Sequence, residues 1–214
     1  MTISIENMDH MQMDVLKEIG NIGAGNAMTA LAQMLNKKVD MSVPKVEILE
    51  FKEVVELLGG PEVLVCGIYF RFDGDMAGNI MFMFSLPSAK LLTNLLMLKE
   101  DNYTQNTEAL DDIEKSALQE IGNILSGAYI SSLTMLTGLN MKLSIPSLAI
   151  DMAGAILSVP IIQYGQVGDK VLLIETEFHQ EDKDIKGFFF LIPDLEFYEI
   201  LLKSLGVLDN GSNN

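Results

Sequence analysis

From about Ser4 to Asn36 apolar residues recur at helical intervals, with Val15, Leu16, Ile19 and Ile22 on one side. The same spacing returns at Ala117, Leu118, Ile121 and Ile124 and predicts a second long helix. Each helix runs into a polar break and then a β-like segment, VDMSVPKVEILEF after the first and LNMKLSIPSLAI after the second. Farther along, VLVCGIYFRF (63–72) and IMFMFSLP (80–87) predict a hairpin, as do VLLIETEF (171–178) and FFFLIP (188–193). The turns are DGDMAG and HQEDKDIKG. A proline precedes a closing helix in each half, SAKLLTNLLML (88–98) and DLEFYEILLKSL (194–205). The expected fold is α/β of the α+β type. Two pseudo-symmetric helix–strand–hairpin–helix repeats, about 4–98 and 108–206, share a mainly antiparallel sheet, with the long helices outside. They form a single domain, 1–207, joined by a linker at 99–107 and followed by a flexible tail at 208–214.

The two long helices share more than a period. The pentapeptide EIGNI stands at 18–22 and again at 120–124, 102 residues later. Twenty-two residues separate Asn21 from Pro44, and twenty-two separate Asn123 from Pro146. At about 100° per residue, Asp14, Glu18, Asn21 and Gly25 share a narrow band opposite the apolar face. Ser116, Glu120, Asn123 and Gly127 form the same band in the second helix. One such band would read as a solvated face. Exposed positions have little packing reason to match twice.

The glycines sharpen this reading. A mid-helix glycine costs about 1 kcal/mol relative to alanine. On the exposed band, Gly25 and Gly127 remove bulk and let another molecule's backbone approach; Gly20 and Gly23 can instead serve close helix packing. A carboxylate one turn from a carboxamide can grip a cation with a charge-assisted hydrogen bond. The amide, both donor and acceptor, can orient a water without itself being charged. Orienting water for attack on phosphorus is what a glutamine does in small GTPases.

Composition narrows the partners. Thirty acids against fourteen bases give a net charge of −16, which disfavours phosphate backbones and anionic lipid. No nucleic-acid partner and no membrane insertion are expected, since no run approaches the roughly 20 apolar residues of a membrane helix. The N-terminus has no signal-peptide pattern, and the single cysteine, Cys66, sits in an apolar run as a core residue. A cytoplasmic location is therefore expected. His10 and His179 lack spaced companions for a zinc site. GNIGAG has the wrong spacing and context for a dinucleotide loop, and Asp73-Gly-Asp75 reads as a hairpin turn, not a calcium loop. No plausible cysteine or histidine nucleophile stands out. Met8, Met11 and Met13 read as adaptable core filling, with a partner groove as the alternative.

At these residues the chain resembles the CheC/CheX/FliY family of chemotaxis phosphatases. The family signature is aspartate or serine, three residues, glutamate, two residues, asparagine, then twenty-two residues and proline. Asp14, Glu18, Asn21 and Pro44 match it, and Ser116, Glu120, Asn123 and Pro146 match it again. The resemblance spans essentially the whole chain, and two intact copies are the CheC pattern within that family. It implies hydrolysis of the aspartyl phosphate of the response regulator CheY-P. Asn21 or Asn123 would orient the attacking water, and Glu18 or Glu120 would hold the lysine beside the phosphoryl group. No cofactor of the chain's own is implied; Mg²⁺ is expected on the CheY-P substrate. The resemblance also implies CheD as a regulatory partner, and a monomer is expected. The alternative is a non-catalytic adaptor that binds CheY-P, CheD or the flagellar switch.

Overall fold

Alternation along the strands divides the apolar side chains between the two faces of one sheet. In the computed structural model, residues 8–35, 40–97, 109–164, 170–180, 183–194 and 196–208 are described. The chain order is α1 (His10–Leu35), β1 (Asp40–Glu50), α2 (Phe51–Leu57), β2 (Leu64–Gly74), β3 (Gly78–Ser85) and α3 (Leu86–Leu96). Then follow α4 (Asp112–Thr137), β4 (Met141–Leu143), β5 (Ser147–Met152), α5 (Ala153–Tyr164), β6 (Lys170–Gln180), β7 (Lys183–Pro193) and α6 (Phe197–Ser204).

The sheet runs β1-β6-β7-β3-β2, with β4 and β5 pairing successive stretches of β2 at the far edge. Every one of these pairings is antiparallel, so the α+β class holds. The strand segments that follow each long helix cross to the other half: β1 pairs β6, and β4 and β5 both pair β2. Exchanging β1 with β5, β2 with β6 and β3 with β7 leaves the order of those six strands unchanged.

Both faces of the sheet are covered. Cys66, Ile68, Phe70 and Phe72 of β2 join Ile80, Phe82 and Phe84 of β3 in the core beneath α1, α3, α4 and α6. Val65, Met81, Met83, Leu173 and Phe190 face the other way, under α2 and α5. Strands buried on both faces need apolar residues at nearly every position. This is why β3, GNIMFMFS, shows no alternation and is buried along all but its last residue.

The two signature prolines occupy corresponding breaks. The β1 register shifts between Ser42 and Lys45, around Pro44, and Pro146 lies in the gap between β4 and β5. Proline has no N–H to give the ladder and is confined to edge strands or irregularities. Both strands are edges here, and they pack beside the long helices, β1 against α1 and β5 against α4.

Several local expectations are corrected. The first helix begins at His10, not near Ser4; residues 1–7 lie outside the described set, as do the expected linker and all of the tail beyond Leu208. Two helices, α2 and α5, are additional to the expected elements. The closing helices start at Leu86 and Phe197. Pro87 thus falls within the first turn of α3, after Ser85, whose hydroxyl accepts the Ser88 N–H at 3.2 Å. Asp194 stays outside α6 because Arg71 holds both its carboxylate oxygens, at 2.9 and 2.7 Å. Most of HQEDKDIKG is strand and not turn, with Gln180 paired to Lys183. Lys186 of this stretch lies 3.0 Å from Glu177 across the ladder. DGDMAG does turn: Gly74 has φ +143 and lies against the Asn140 carbonyl, and the Asp75 carboxylate accepts the Asn140 N–H at 2.8 Å.

Candidate functional site

The two long helices are built to one specification. Each spans 26 residues, and α4 starts and ends 102 residues after α1. Each opens with a capping box. The Asp9 carboxylate accepts the Gln12 N–H at 2.9 Å, while the Gln12 side chain accepts the Asp9 N–H at 3.1 Å. Asp111 and Glu114 do the same, at 2.8 and 3.0 Å. The residue before each cap, Met8 or Leu110, packs on the core and fixes the entry of the helix. Gly138, in the left-handed conformation at φ 72, ends α4.

Glu114 does more than cap. It is 1% exposed, and the same carboxylate oxygen that caps the helix accepts the Lys90 ammonium at 2.7 Å. Burial alone would raise its pKa. The Lys90 and Asp111 hydrogen bonds outweigh that and hold the carboxyl below its ordinary value. The start of α4 is thereby tied to α3.

The apolar faces go inward: Leu16 and Ile19 of α1, and Leu118 and Ile121 of α4, are buried in one cluster. The opposite bands face outward. Asp14, Glu18 and Asn21 are exposed, as are Ser116, Glu120 and Asn123. The Ser116 hydroxyl donates to the Asp112 carbonyl at 2.8 Å. Among the described residues, Glu18, Asn21, Glu120 and Asn123 have no side-chain hydrogen bond or ion pair. Glutamate and asparagine three apart on a helix are neighbours, roughly 5–6 Å between Cβ atoms.

The glycines divide by face. A Cβ on Gly23 would strike the Tyr129 ring, and one on Gly122 would come within 3.1 Å of Ile68 and Phe70. Gly23 lets α1 lie close against α4, where the Asn26 amide also donates to the Ser132 hydroxyl at 2.9 Å. Around Gly25 and Gly127, nothing lies within 4 Å of the position a Cβ would take. Their lack of a side chain is not required by this chain's own packing.

One methionine departs from the core role expected of it. Met11 is not core: it is 66% exposed, and its counterpart 102 residues on, Ile113, is 70% exposed. Only Met8 of the neighbouring methionines is among those packed on the main core. The matching offset was present in the sequence, but burial could not be read there.

Elsewhere, burial pushes the Cys66 thiol up to about 12, so it stays protonated and inert at neutral pH. Among the described residues no three of His, Cys, Asp and Glu gather as metal ligands, and no helix is long and apolar enough to cross a membrane. A convex helix face encloses nothing. An unpaired carboxylate and amide there can act chemically only on a molecule that supplies the rest of the site.

Comparison with known proteins bears on which molecule that is. Residues 11–48 match the model of the CheC-like family, and residues 66–161 match that of the chemotaxis phosphatase CheX. The chain is 36% identical to the CheY-P phosphatase CheC of Bacillus subtilis over 197 residues, covering 91% of this chain and 94% of that one. The fold is similar to Thermotoga maritima FliY, with a TM-score of 0.72 at 22% identity, covering 94% of this chain and 98% of that one. It is also similar to a chain of the FliG–FliM complex from H. pylori, with a TM-score of 0.67 at 14% identity, covering 91% and 99%.

Proposed function

The chain belongs to the CheC-like family, and from that premise we propose that it is a phosphatase that accelerates hydrolysis of the aspartyl phosphate of CheY-P. The observation that carries the proposal is the pair of exposed bands, each presenting an unpaired Glu and Asn three residues apart. The amide of Asn21 or Asn123 enters the phosphorylated site and orients water in line with the phosphorus. The carboxylate of Glu18 or Glu120 grips the lysine beside the phosphoryl group and fixes the two proteins in register. Positioning of this kind can contribute several kcal/mol to a barrier, roughly up to 7–11 in the best oriented cases. The metal ion, Mg²⁺, belongs to the substrate protein; this chain adds no cofactor and no covalent intermediate. Asp14, Gly25 and Pro44 are the supporting positions of the first site, and Ser116, Gly127 and Pro146 those of the second. In this reading each repeat supplies one site, the protein acts as a cytoplasmic monomer, and CheD is its regulator.

Turnover tests the reading against sequestration. CheY-P, held in large excess with Mg²⁺, is mixed with a small fraction of this chain and phosphate release is followed. An enzyme clears many equivalents and multiplies the decay rate in proportion to its concentration. An adaptor that only binds CheY-P leaves the excess decaying at its own rate, and that outcome would refute the proposal.

A further inference from the structure

Met11 and Ile113 are large apolar side chains left in solvent at corresponding places in the two halves, 66% and 70% exposed. They are not part of the helix-entry contact, which Met8 and Leu110 make on the core. Their azimuth is informative. Taking about 100° per residue, Met11 falls in one band roughly 80° wide with Glu18, Gly25, Asp14 and Asn21. Ile113 stands in the same relation to Glu120, Gly127, Ser116 and Asn123. Along the axis, at about 1.5 Å per residue, the apolar side chain lies ~10 Å from the glutamate and ~15 Å from the asparagine. Each band therefore reads, from the helix start, as an apolar side chain, the acid, the amide and a bare glycine.

We propose that Met11 and Ile113 are apolar docking anchors for the phosphorylated response regulator, one per site, seated on its surface beside the phosphorylated pocket. The inference rests on the proposed phosphatase reading and deepens it. Continuity with the acid–amide band carries it: a partner that reaches Glu18 and Asn21 along α1 must also cover Met11. An apolar anchor contributes equally to the ground state and the transition state, so it sets KM and leaves kcat alone. The acid and amide act at the reacting end, and the anchor holds the helix axis along the partner.

The test uses the full chain with one site silenced at a time. In Asn123→Ala, which leaves the first site, Met11→Gln is compared with Met11→Leu; in Asn21→Ala, Ile113→Gln is compared with Ile113→Met. The rate of phosphate release is measured against CheY-P concentration, and the association state of each variant by light scattering. Met11→Gln and Ile113→Gln should each raise KM by about tenfold with kcat within about twofold, while the apolar replacements keep the parental KM. Unchanged KM in the glutamine variants, or a fall in kcat at constant KM, overturns the inference. So does a parent that is dimeric and becomes monomeric on substitution without change in KM, which would make the residues a self-association contact. If neither single-site parent accelerates CheY-P decay although both are folded, the phosphatase reading itself has failed, a result distinct from loss of the anchor alone.

Discussion

Replacing Gly25 and Gly127 by alanine separates the requirements of the fold from those of the partner. A Cβ at either position meets nothing within 4 Å. The change therefore adds helix propensity without a packing penalty, worth about 0.8–1 kcal/mol at each site. The two positions lie on different helices with no shared neighbour, so their effects should add to about 2 kcal/mol. For a chain of this size, with roughly 2–4 °C per kcal/mol, Tm should rise by about 4–8 °C. The same substitution at Gly23 is the internal contrast. Its Cβ strikes the buried Tyr129 ring, and overpacking of that kind costs roughly 1–3 kcal/mol. Thermal and urea denaturation measure these signs directly. Phosphate release from CheY-P measures the other side. If the bare glycines admit the partner's backbone, Gly25→Ala with Gly127→Ala should be more stable than the parent yet lower in kcat/KM by at least about tenfold, since displacement by about 1 Å can cost about 100-fold. A variant that gains stability and keeps full activity would show that the partner does not need those positions bare. A variant that loses stability would refute the account of the helix faces.

Other consequences follow from particular contacts. Lys90→Met leaves the buried Glu114 carboxylate without its cation and should cost about 2 kcal/mol of unfolding free energy, read from urea denaturation. The Glu114 carboxyl titrates below its unfolded value near 4.5, so its contribution is complete above that pH and is lost as pH falls through the lower folded value. Accordingly, the stability of the parent should fall more steeply than that of Glu114→Gln as pH drops below about 4.5, in denaturation series run across that range. Asp9→Ala and Asp111→Ala each remove a cap and should cost about 1 kcal/mol, while CheY-P turnover at a temperature where both stay folded changes little. The buried Cys66 thiol should resist a disulfide reagent at neutral pH in the native protein and react on unfolding, followed by released chromophore.

The duplicated stripe was legible because solvent positions carry few packing constraints, so identical spacing at Glu18, Asn21 and Glu120, Asn123 stood out. The core strands were legible for the opposite reason: burial on both faces wrote them as near-continuous apolar runs. What stayed hidden is non-local or local in the wrong way. Pairing of β1 with β6 and of β5 with β2 leaves no mark on either strand. The helix α5, AGAILSVPIIQY, has little amphipathic contrast and contains Pro160, so its period is silent. The helix α2 is 7 residues long, less than a pattern needs to repeat. The start of α1 was marked, by Asp9 and Gln12, but the apolar period running back to Ser4 outweighed that signal. Met11 shows the remaining limit. An apolar residue in an amphipathic helix reads as core until its azimuth is compared with the polar band beside it.

The central claim is that the two asparagines do the work on CheY-P. The most direct measurement is the decay of CheY-P in the presence of catalytic amounts of the Asn21→Ala, Asn123→Ala double variant, with the parent and each single variant alongside and folding verified by circular dichroism. Each single variant should retain the activity of its intact site, and the double variant should leave CheY-P decaying at its unassisted rate. Acceleration by the folded double variant equal to that of the parent would contradict the account.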